Sequence, residues 1–363
     1  MKFLHAGDVH LGAVPESGTG LGILRSREIW DAFRDIIEIC EHDRVDLLLL
    51  PGDLFHSQPL LKEVKEVDYL FRRLTHTKVV MCAGNHDFLH AKSHYYDVTF
   101  PEHVTFLTDP RADSVYLPEL NVEVFGLSYE TKQISEPRYH AIKPAHPERI
   151  NILLAHGNVL CNDKSIPIRK ESILAAGFDY VALGHLHNRI EIDRRVAYSG
   201  SLEPLNRGET GEKGYILGEV TKEGKMPSKI DWKFIPHAKR QYLPLRVEVT
   251  PESTDFSLLE ELLEKINRQG TEHMYLVTLS GTRAREKNRN AETLASLLEG
   301  RGVNVISITD ETVPDFSVET LREQHRGTLV GKFIRQMEET EDKTLGSKAL
   351  QYGLQALLGR DES

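Results

Sequence analysis

Short apolar runs alternate with amphipathic helical patterns over the first 240 residues. The run at 45–50 is apolar apart from Asp46, as is typical of a strand buried on both faces of a sheet, and a further strand is predicted at 78–82. Between residues 25 and 43, apolar positions recur at helical spacing, which predicts a helix with one buried face. The alternation predicts a layered α/β fold. The other predicted elements are a helix at 61–75 and strands at 2–6, 122–127, 150–155, 180–183 and 189–198.

The pattern changes near residue 240, where a smaller strand and helix alternation begins. It predicts strands at 245–249, 274–279 and 303–309, with helices around 256–266 and at 291–299. Pro314 is expected to end this unit, and two amphipathic helices follow it. A chain of 363 residues exceeds the usual limit of one hydrophobic core. We therefore expect a large α/β domain over 1–240, a small α/β domain over 241–313 and terminal helices over 314–363.

Composition and charge narrow the class of protein. No apolar run approaches the roughly 20 residues of a membrane span, and Asp8 and His10 interrupt the first apolar stretch before a signal peptide could form. The three cysteines have unrelated spacings, so no disulfide framework is expected. These features predict a cytoplasmic protein that does not enter a membrane. The net charge of −10 argues against nucleic-acid binding over the whole surface and leaves room for local basic patches.

Five short polar motifs contain the chemically capable residues, and each one follows or ends an apolar strand-like run. Residues just beyond the carboxyl ends of strands in an α/β sheet converge on one crevice. Any one of these motifs alone is compatible with a turn or a solvated pair. The ordered set instead indicates a single site. The motifs are Gly7-Asp8-Val9-His10, Gly52-Asp53, Gly84-Asn85-His86-Asp87, His156-Gly157 and Gly184-His185-Leu186-His187.

The residue types in these motifs point to metal chemistry. Carboxylate, amide and imidazole groups are ligands that suit Mn²⁺, Fe²⁺ or Zn²⁺. Two cations that lie about 3.5–4 Å apart need a carboxylate between them. Asp53, at the tip of the most apolar strand, is the natural candidate for that position.

The motif set resembles the calcineurin-like metallophosphoesterase superfamily, and within it the SbcD-type exonucleases of double-strand-break repair. Asp53-Leu54-Phe55-His56 is similar to the second motif of that family. The pairs Gly200-Ser201, Gly208-Glu209 and Gly214-Tyr215 are similar to the segment that closes its nuclease domain. The resemblance implies a two-sheet α/β sandwich with a small α/β capping domain. It also implies that the C-terminal helices dock an SMC-like ATPase of the SbcC type.

The resemblance also implies roles for individual side chains. Seven would hold two divalent metal ions, expected to be Mn²⁺, with Asp53 bridging them. One ion would be held by Asp8, His10 and His187, and the other by Asn85, His156 and His185. His86 would face the scissile phosphate without binding metal, Asp87 would orient His86, and His56 would lie near the nucleotide.

The expected activity is metal-dependent hydrolysis of DNA in repair and recombination, by an exonuclease on duplex ends and an endonuclease on single strands. The expected partners are DNA, the ATPase and a second copy of the chain. One alternative is an esterase for small cyclic or sugar-linked phosphodiesters. The other is a scaffold of the same fold without catalysis. The second motif lacks the Asp-Arg-Gly ending of phosphoprotein phosphatases.

Three features have two interpretations each. Arg285, Lys287 and Arg289 lie in a predicted loop of the small domain and either contact DNA phosphates or form a solvated charged loop. His90 and His94 either approach the substrate or only pack, and packing is the favoured interpretation. The terminal helices either pack on the same chain or offer an apolar face to a partner helix.

Overall fold

The computed structural model describes residues 1–160, 164–284, 291–315, 318–340 and 342–358. The chain divides into two compact units, Met1–Tyr242 and Leu243–Ser363. Arg285, Lys287 and Arg289 lie outside the described residues. Among the described residues, no helix is both long and apolar enough to cross a membrane.

Two six-stranded sheets form the framework of the first unit. Along the chain the strands are β1 (Lys2–His5), β2 (Leu47–Pro51), β3 (Lys78–Cys82), β4 (Val104–Leu107), β5 (Asp113–Leu117), β6 (Val122–Gly126), β7 (Ile150–His156), β8 (Tyr180–Gly184), β9 (Ile190–Asp193), β10 (Val196–Tyr198), β11 (Gly214–Thr221) and β12 (Lys229–Pro236). The first sheet has the order β12-β11-β1-β2-β3-β4, and the second has the order β5-β6-β7-β8-β10-β9. Strands β1 to β4 are parallel to one another, as are β6, β7, β8 and β10. In each sheet, several parallel strands therefore end at the same edge.

The apolar run of β2 explains how the layers stack. Leu47 and Leu49 pack in the core shared with Ile152 and Leu154 of the second sheet. Successive side chains of a strand point to opposite faces, so Leu48 and Leu50 pack instead in the core formed with the helices. The helices of this unit are α1 (Gly22–His42), α2 (Leu61–Phe71) and α3 (Lys170–Ala175). The expected two-sheet α/β sandwich is confirmed.

A buried ion-pair network joins the start of α1 to a later loop of the same unit. The Arg25 guanidinium is fully buried and donates to Glu28, to Glu203 at 2.9 Å and to the carbonyl oxygen of Pro204 at 3.2 Å. Arg240 donates to the second oxygen of Glu28 at 2.8 Å. Because buried charges are costly unless they are paired, this network fixes the loop that begins at Glu203.

The second unit contains a small four-stranded sheet with helices. The elements from its boundary onward are β13 (Tyr242–Val249), α4 (Asp255–Gln269), β14 (Met274–Arg283), α5 (Ala291–Glu299), β15 (Asn304–Asp310), β16 (Val313–Pro314), α6 (Val318–Gln324), α7 (Leu329–Glu338) and α8 (Lys343–Leu358). Strands β13, β14 and β15 are neighbours in that order, and β16 pairs with β14. The side chain of Thr254 caps α4 by accepting from the N–H of Ser257 at 3.0 Å. The third sheet and the C-terminal helices thus match the expected architecture.

Several expectations about elements were wrong. The single strand predicted at 189–198 is a hairpin of β9 and β10, because Asp193 accepts from the N–H of Arg195 at 3.0 Å and turns the chain. The pattern did not predict β16, which ends at Pro314 and pairs with β14. Within the described part of 314–363, three helices follow instead of two, since the short α6 has too little apolar periodicity to be recognised. The apolar pattern also missed α3 and the strands β4, β5, β11 and β12.

Candidate metal centre

Five loops place the candidate ligands at one edge of the two sheets. Asp8 follows β1, Asp53 follows β2 and Asn85 follows β3 in the first sheet. His156 is the last residue of β7, and His185 directly follows β8 in the second sheet. Since these strands are parallel within each sheet, their carboxyl ends bring the side chains together.

Asp8, His10 and His187 form a first group of possible ligands. One ligand atom from each of them lies within 4.8 Å of the others. The Nε2 atoms of His10 and His187 are 3.0 Å apart. The main-chain N–H of His185 donates to both oxygens of Asp8, at 2.8 and 3.0 Å. Asp8 and His10 are fully buried, so the group is fixed inside the fold.

Asn85, His156 and His185 form a second group around one amide oxygen. Asn85 Oδ1 lies 2.8 Å from His156 Nε2 and 3.1 Å from His185 Nδ1. Asp53 lies between the two groups, because its Oδ2 is 3.3 Å from His156 Nε2 and 3.7 Å from His10 Nε2. The structure therefore brings all seven predicted ligands into one site, with Asp53 in the central position.

The hydrogen bonds behind the histidines show what this site fits. His156 Nδ1 lies 2.9 Å from the carbonyl oxygen of Pro51, and His187 Nδ1 lies 2.7 Å from the carboxylate of Glu209. Both partners only accept, so each ring keeps a proton on Nδ1 and has its Nε2 facing into the site. Ring nitrogens and carboxylate oxygens then face one another in a buried space. A divalent cation satisfies such a donor set.

Close approach of the backbone makes the site compact. Gly52 has φ +85, and a Cβ there would lie 2.5 Å from His156 Nδ1. A Cβ at Gly84 would collide with Oδ1 of Asp53. Glycine is therefore required at both positions for the loops to meet.

Four of the candidate ligands adopt a backbone conformation that side chains disfavour. Asp8, His10, Asp53 and His185 have φ values of 50, 54, 49 and 103. Each such residue costs about 1–3 kcal/mol and persists only when its surroundings impose it. Such a concentration of strained backbone is typical of functional sites.

The family comparison places this site in a known enzyme class. The calcineurin-like phosphoesterase family matches residues 1–189, more than half of the chain. The chain belongs to the calcineurin-like phosphoesterase family. That membership confirms the predicted family and makes the protein a hydrolase of phosphoesters from a family that uses divalent metals.

Individual relatives resemble this phosphoesterase at modest identity. An uncharacterized metallophosphoesterase of Bacillus subtilis, YhaO, is 25% identical over 304 residues, which cover 78% of this chain and 72% of YhaO. The DNA double-strand break repair protein Mre11 of Aeropyrum pernix is 28% identical over 241 residues, covering 60% of this chain and 57% of Mre11. The SbcD polypeptide of the SbcCD nuclease from Staphylococcus saprophyticus is 24% identical over 385 residues, covering 93% of this chain and 97% of SbcD.

Three buried carboxylates of the phosphoesterase respond differently to their surroundings. Burial disfavours the ionised form of Asp53, but the facing imidazoles of His156 and His10 outweigh it and hold its pKa below the usual range. Burial raises the pKa of Asp8, against the attraction of His156 and His187. Burial, with the nearby charge of Asp53, raises the pKa of Asp87 to about 6. Burying three carboxylates so close together is unfavourable unless positive charge compensates for their negative charge.

His86 lies beside the candidate ligands of the phosphoesterase. Its main-chain N–H donates to Asp53 Oδ1 at 2.8 Å, and its ring Nδ1 lies 2.7 Å from the carbonyl oxygen of His56. Its ring stacks on the exposed ring of His56, with centroids 5.3 Å apart. The structure thus places His86 and His56 together at the open side of the site.

Asp87 does not make the contact that we expected. Its carboxylate accepts from the N–H groups of Gly84 at 2.8 Å and Phe55 at 3.3 Å, and from the hydroxyl of Tyr95 at 2.8 Å. Among the described residues, no hydrogen bond joins it to the His86 ring. Asp87 instead holds two loops together, because the lone pairs of a buried carboxylate must accept hydrogen bonds from nearby donors.

Other predicted residues lie apart from these contacts. His90 Nδ1 accepts from the N–H of Lys92 at 3.1 Å, and His94 pairs with Asp97 at 2.7 Å. These local contacts agree with the packing interpretation of both histidines.

Sequence reasoning missed the groups that hold the ligands from behind. Tyr129 and Tyr139 donate to the carbonyl oxygen of His156 at 3.0 and 3.1 Å. Glu209 holds His187, and Lys213 donates to the carbonyl oxygen of His187 at 2.6 Å. Gly208-Glu209 carried a signal only through the family resemblance, while the tyrosines and Lys213 carried none, because each is a lone residue distant in sequence.

Proposed function

We propose that this phosphoesterase is a two-metal DNA nuclease, with Mn²⁺ as its metal. The main support is that seven ligand-type side chains lie together with His86 and His56 at one edge of the two sheets. The choice of DNA is supported by relatives named as a DNA break repair protein and as part of a nuclease.

In this proposal Asp8, His10 and His187 hold one cation, and Asn85, His156 and His185 hold the other. Asp53 serves both, in keeping with its position between the two groups. Bound divalent cations supply positive charge to the phosphate and lower the pKa of the water they bind.

His86 acts as the general acid in this proposal. The carbonyl oxygen of His56 can only accept, so His86 Nδ1 keeps its proton whether the ring is neutral or charged. The proton that moves is therefore the one on Nε2, which the ring delivers to the leaving oxygen of the phosphodiester. The hydrogen bond between the His86 N–H and Asp53 keeps the ring beside the metal ligands.

The proposed substrate is a DNA strand, cleaved from duplex ends as an exonuclease and within single strands as an endonuclease, in repair and recombination. The exposed ring of His56, stacked on His86, would contact the nucleotide. Residues 241–313 would form the DNA-capping domain, with Arg285, Lys287 and Arg289 contacting phosphates. A cytoplasmic location fits this role.

The proposed protein partners are an SMC-like ATPase and a second copy of the chain. In the second unit, Leu329 and Leu345 are 71% and 61% exposed and Tyr352 is 70% exposed, although all three lie on helices. Exposed apolar side chains on a helix support docking of another protein within residues 314–363. In the first unit, the exposed side chains of Val14 and Ile23 line one surface pocket together with Trp30, which supports self-association there.

The direct test is degradation of end-labelled linear duplex and single-stranded DNA with added Mn²⁺. The wild type is compared with Asp53→Ala, His86→Ala and the remote control His42→Ala, whose exposed side chain lies at the end of α1. The proposal expects cleavage by the wild type and the control, and loss of cleavage in the two site variants.

A chromogenic phosphodiester in the same assay separates the alternatives. Its hydrolysis without DNA cleavage would favour a small-molecule esterase, once addition of a purified SMC-like ATPase also fails to restore cleavage. Absence of both activities and of bound metal would favour a scaffold.

A further inference from the structure

His187 differs from His156 and His86 in the group that faces the outer nitrogen of its ring. The outer nitrogens of His156 and His86 face main-chain carbonyl oxygens, those of Pro51 and His56. His187 Nδ1 faces a carboxylate oxygen of Glu209 at 2.7 Å. A carboxylate behind a ligand histidine fixes its tautomer and strengthens its donor nitrogen.

Glu209 is itself held by donors on both oxygens. Asn206 donates to the same oxygen as His187, and the main-chain N–H of Leu205 donates to the other at 2.9 Å. Lys213 Nζ lies 3.5 Å from that second oxygen. Every partner is a donor, so only an ionised carboxylate satisfies them all, and an amide would turn an N–H₂ group toward one of them.

Lys213 completes the arrangement from inside the protein. Its side chain is 1% exposed, yet its ammonium group has three acceptors. Besides Glu209, it donates to the carbonyl oxygen of His187 at 2.6 Å and to Asn188 Oδ1 at 2.7 Å. Buried lysines are rare unless they are paired, and this one fixes the main chain and the carboxylate behind the same histidine.

We infer that Glu209 and Lys213 are positioning residues that set the affinity of one of the two metal positions, the one held by Asp8, His10 and His187. At the other position, His156 is instead fixed by the carbonyl oxygen of Pro51 and by Tyr139, whose hydroxyl accepts from the His156 N–H at 2.8 Å. The two positions therefore fill unequally when Glu209 is altered. This inference rests on the proposed two-metal site but not on DNA as the substrate.

The test is Mn²⁺ binding to demetallated full-length protein, measured by calorimetry and by electron paramagnetic resonance. Glu209→Gln is compared with the wild type and with Glu203→Gln. Glu203 is a matched control, since it lies in the same loop, is 1% exposed and pairs with Arg25 rather than with a ligand. Both substitutions disturb a buried ion pair, but only one touches His187.

The expected result is two Mn²⁺ ions on the wild type and on Glu203→Gln. Glu209→Gln should keep one ion at wild-type affinity and bind the second about 10–100-fold more weakly. Unchanged binding in Glu209→Gln, or equal weakening in Glu203→Gln, would overturn the inference even if DNA cleavage is intact. A wild type without bound Mn²⁺ would overturn the proposed function as well.

A second measurement covers the case in which Glu209→Gln does not fold. Nitrogen-15 spectra of the wild type, assigned with His187→Gln, report the protonation of each ring nitrogen. The structure requires a proton on Nδ1 of His187. Addition of diamagnetic Zn²⁺ should therefore shift the Nε2 resonance of this ring. A shift of Nδ1 instead would contradict the inference.

Discussion

The carboxylate of Asp53 accepts a hydrogen bond from the main-chain N–H of His86 at 2.8 Å. The residue proposed to serve both cations thereby also positions the proposed acid. Its second oxygen lies toward His156, so both oxygens are in use.

Replacement of Asp53 by Asn should therefore damage metal binding and chemistry together. We expect Mn²⁺ affinity to fall by more than the roughly 100-fold typical of losing an outer partner of a ligand. Calorimetric titration and phosphodiester hydrolysis would measure the two effects. Retained binding of both ions would contradict the central role of Asp53.

His86→Gln should separate the chemical step from metal binding. The main-chain N–H remains available to Asp53, so Mn²⁺ affinity should stay within a few-fold of the wild type. The turnover number should fall roughly 10²–10⁴-fold, which is the usual contribution of a general acid. A parallel loss of metal affinity would mean that the ring is a ligand and not an acid.

Asp8→Asn should have opposite effects on the melting temperatures of the metal-free and the Mn²⁺-bound protein. Without metal, the substitution removes a fully buried carboxylate whose pKa is raised by burial, so the melting temperature should rise by roughly 2–4 °C. With Mn²⁺, the variant should melt below the wild type because a ligand is missing. Differential scanning calorimetry with and without Mn²⁺ would show whether the order reverses.

Arg25→Met should destabilise the fold without changing any candidate ligand. It leaves Glu203 buried without its ionic partner, which typically costs about 3–5 kcal/mol. Urea unfolding of Arg25→Met and of the double variant Arg25→Met/Glu203→Gln would measure this cost. The double variant should recover part of the loss, and equal stability of the two would argue against a mutual pairing.

The apolar pattern predicted the elements that have strong periodicity or complete burial. The runs that became β2 and β3 are apolar because both faces of the first sheet are covered, by helices on one side and by the second sheet on the other. Strand β12 was missed, because its exposed lysines and half-buried positions do not form an uninterrupted apolar run. The turn at Asp193 was missed because it depends on one side-chain hydrogen bond.

In the candidate site, too, some residues could be predicted from the sequence and others could not. Ligand types are visible in sequence because each one sits in a short polar motif directly after a strand. Supporting groups are not visible in this way, since a tyrosine such as Tyr129 or a lysine such as Lys213 looks ordinary until the fold brings it to a ligand. The hydrogen bonds of Asp87 to Gly84, Phe55 and Tyr95 were not visible in the sequence for the same reason.

The left-handed backbone at Asp8, His10, Asp53 and His185 also bears on how quickly the site can accept its ions. These conformations are imposed by the hydrogen bonds and close contacts around them, which hold the loops in one shape. An ion that arrives meets a preorganised cage and does not have to wait for loops to order. Loading should therefore be governed by diffusion and by dehydration of the ion, with little reorganisation of the chain.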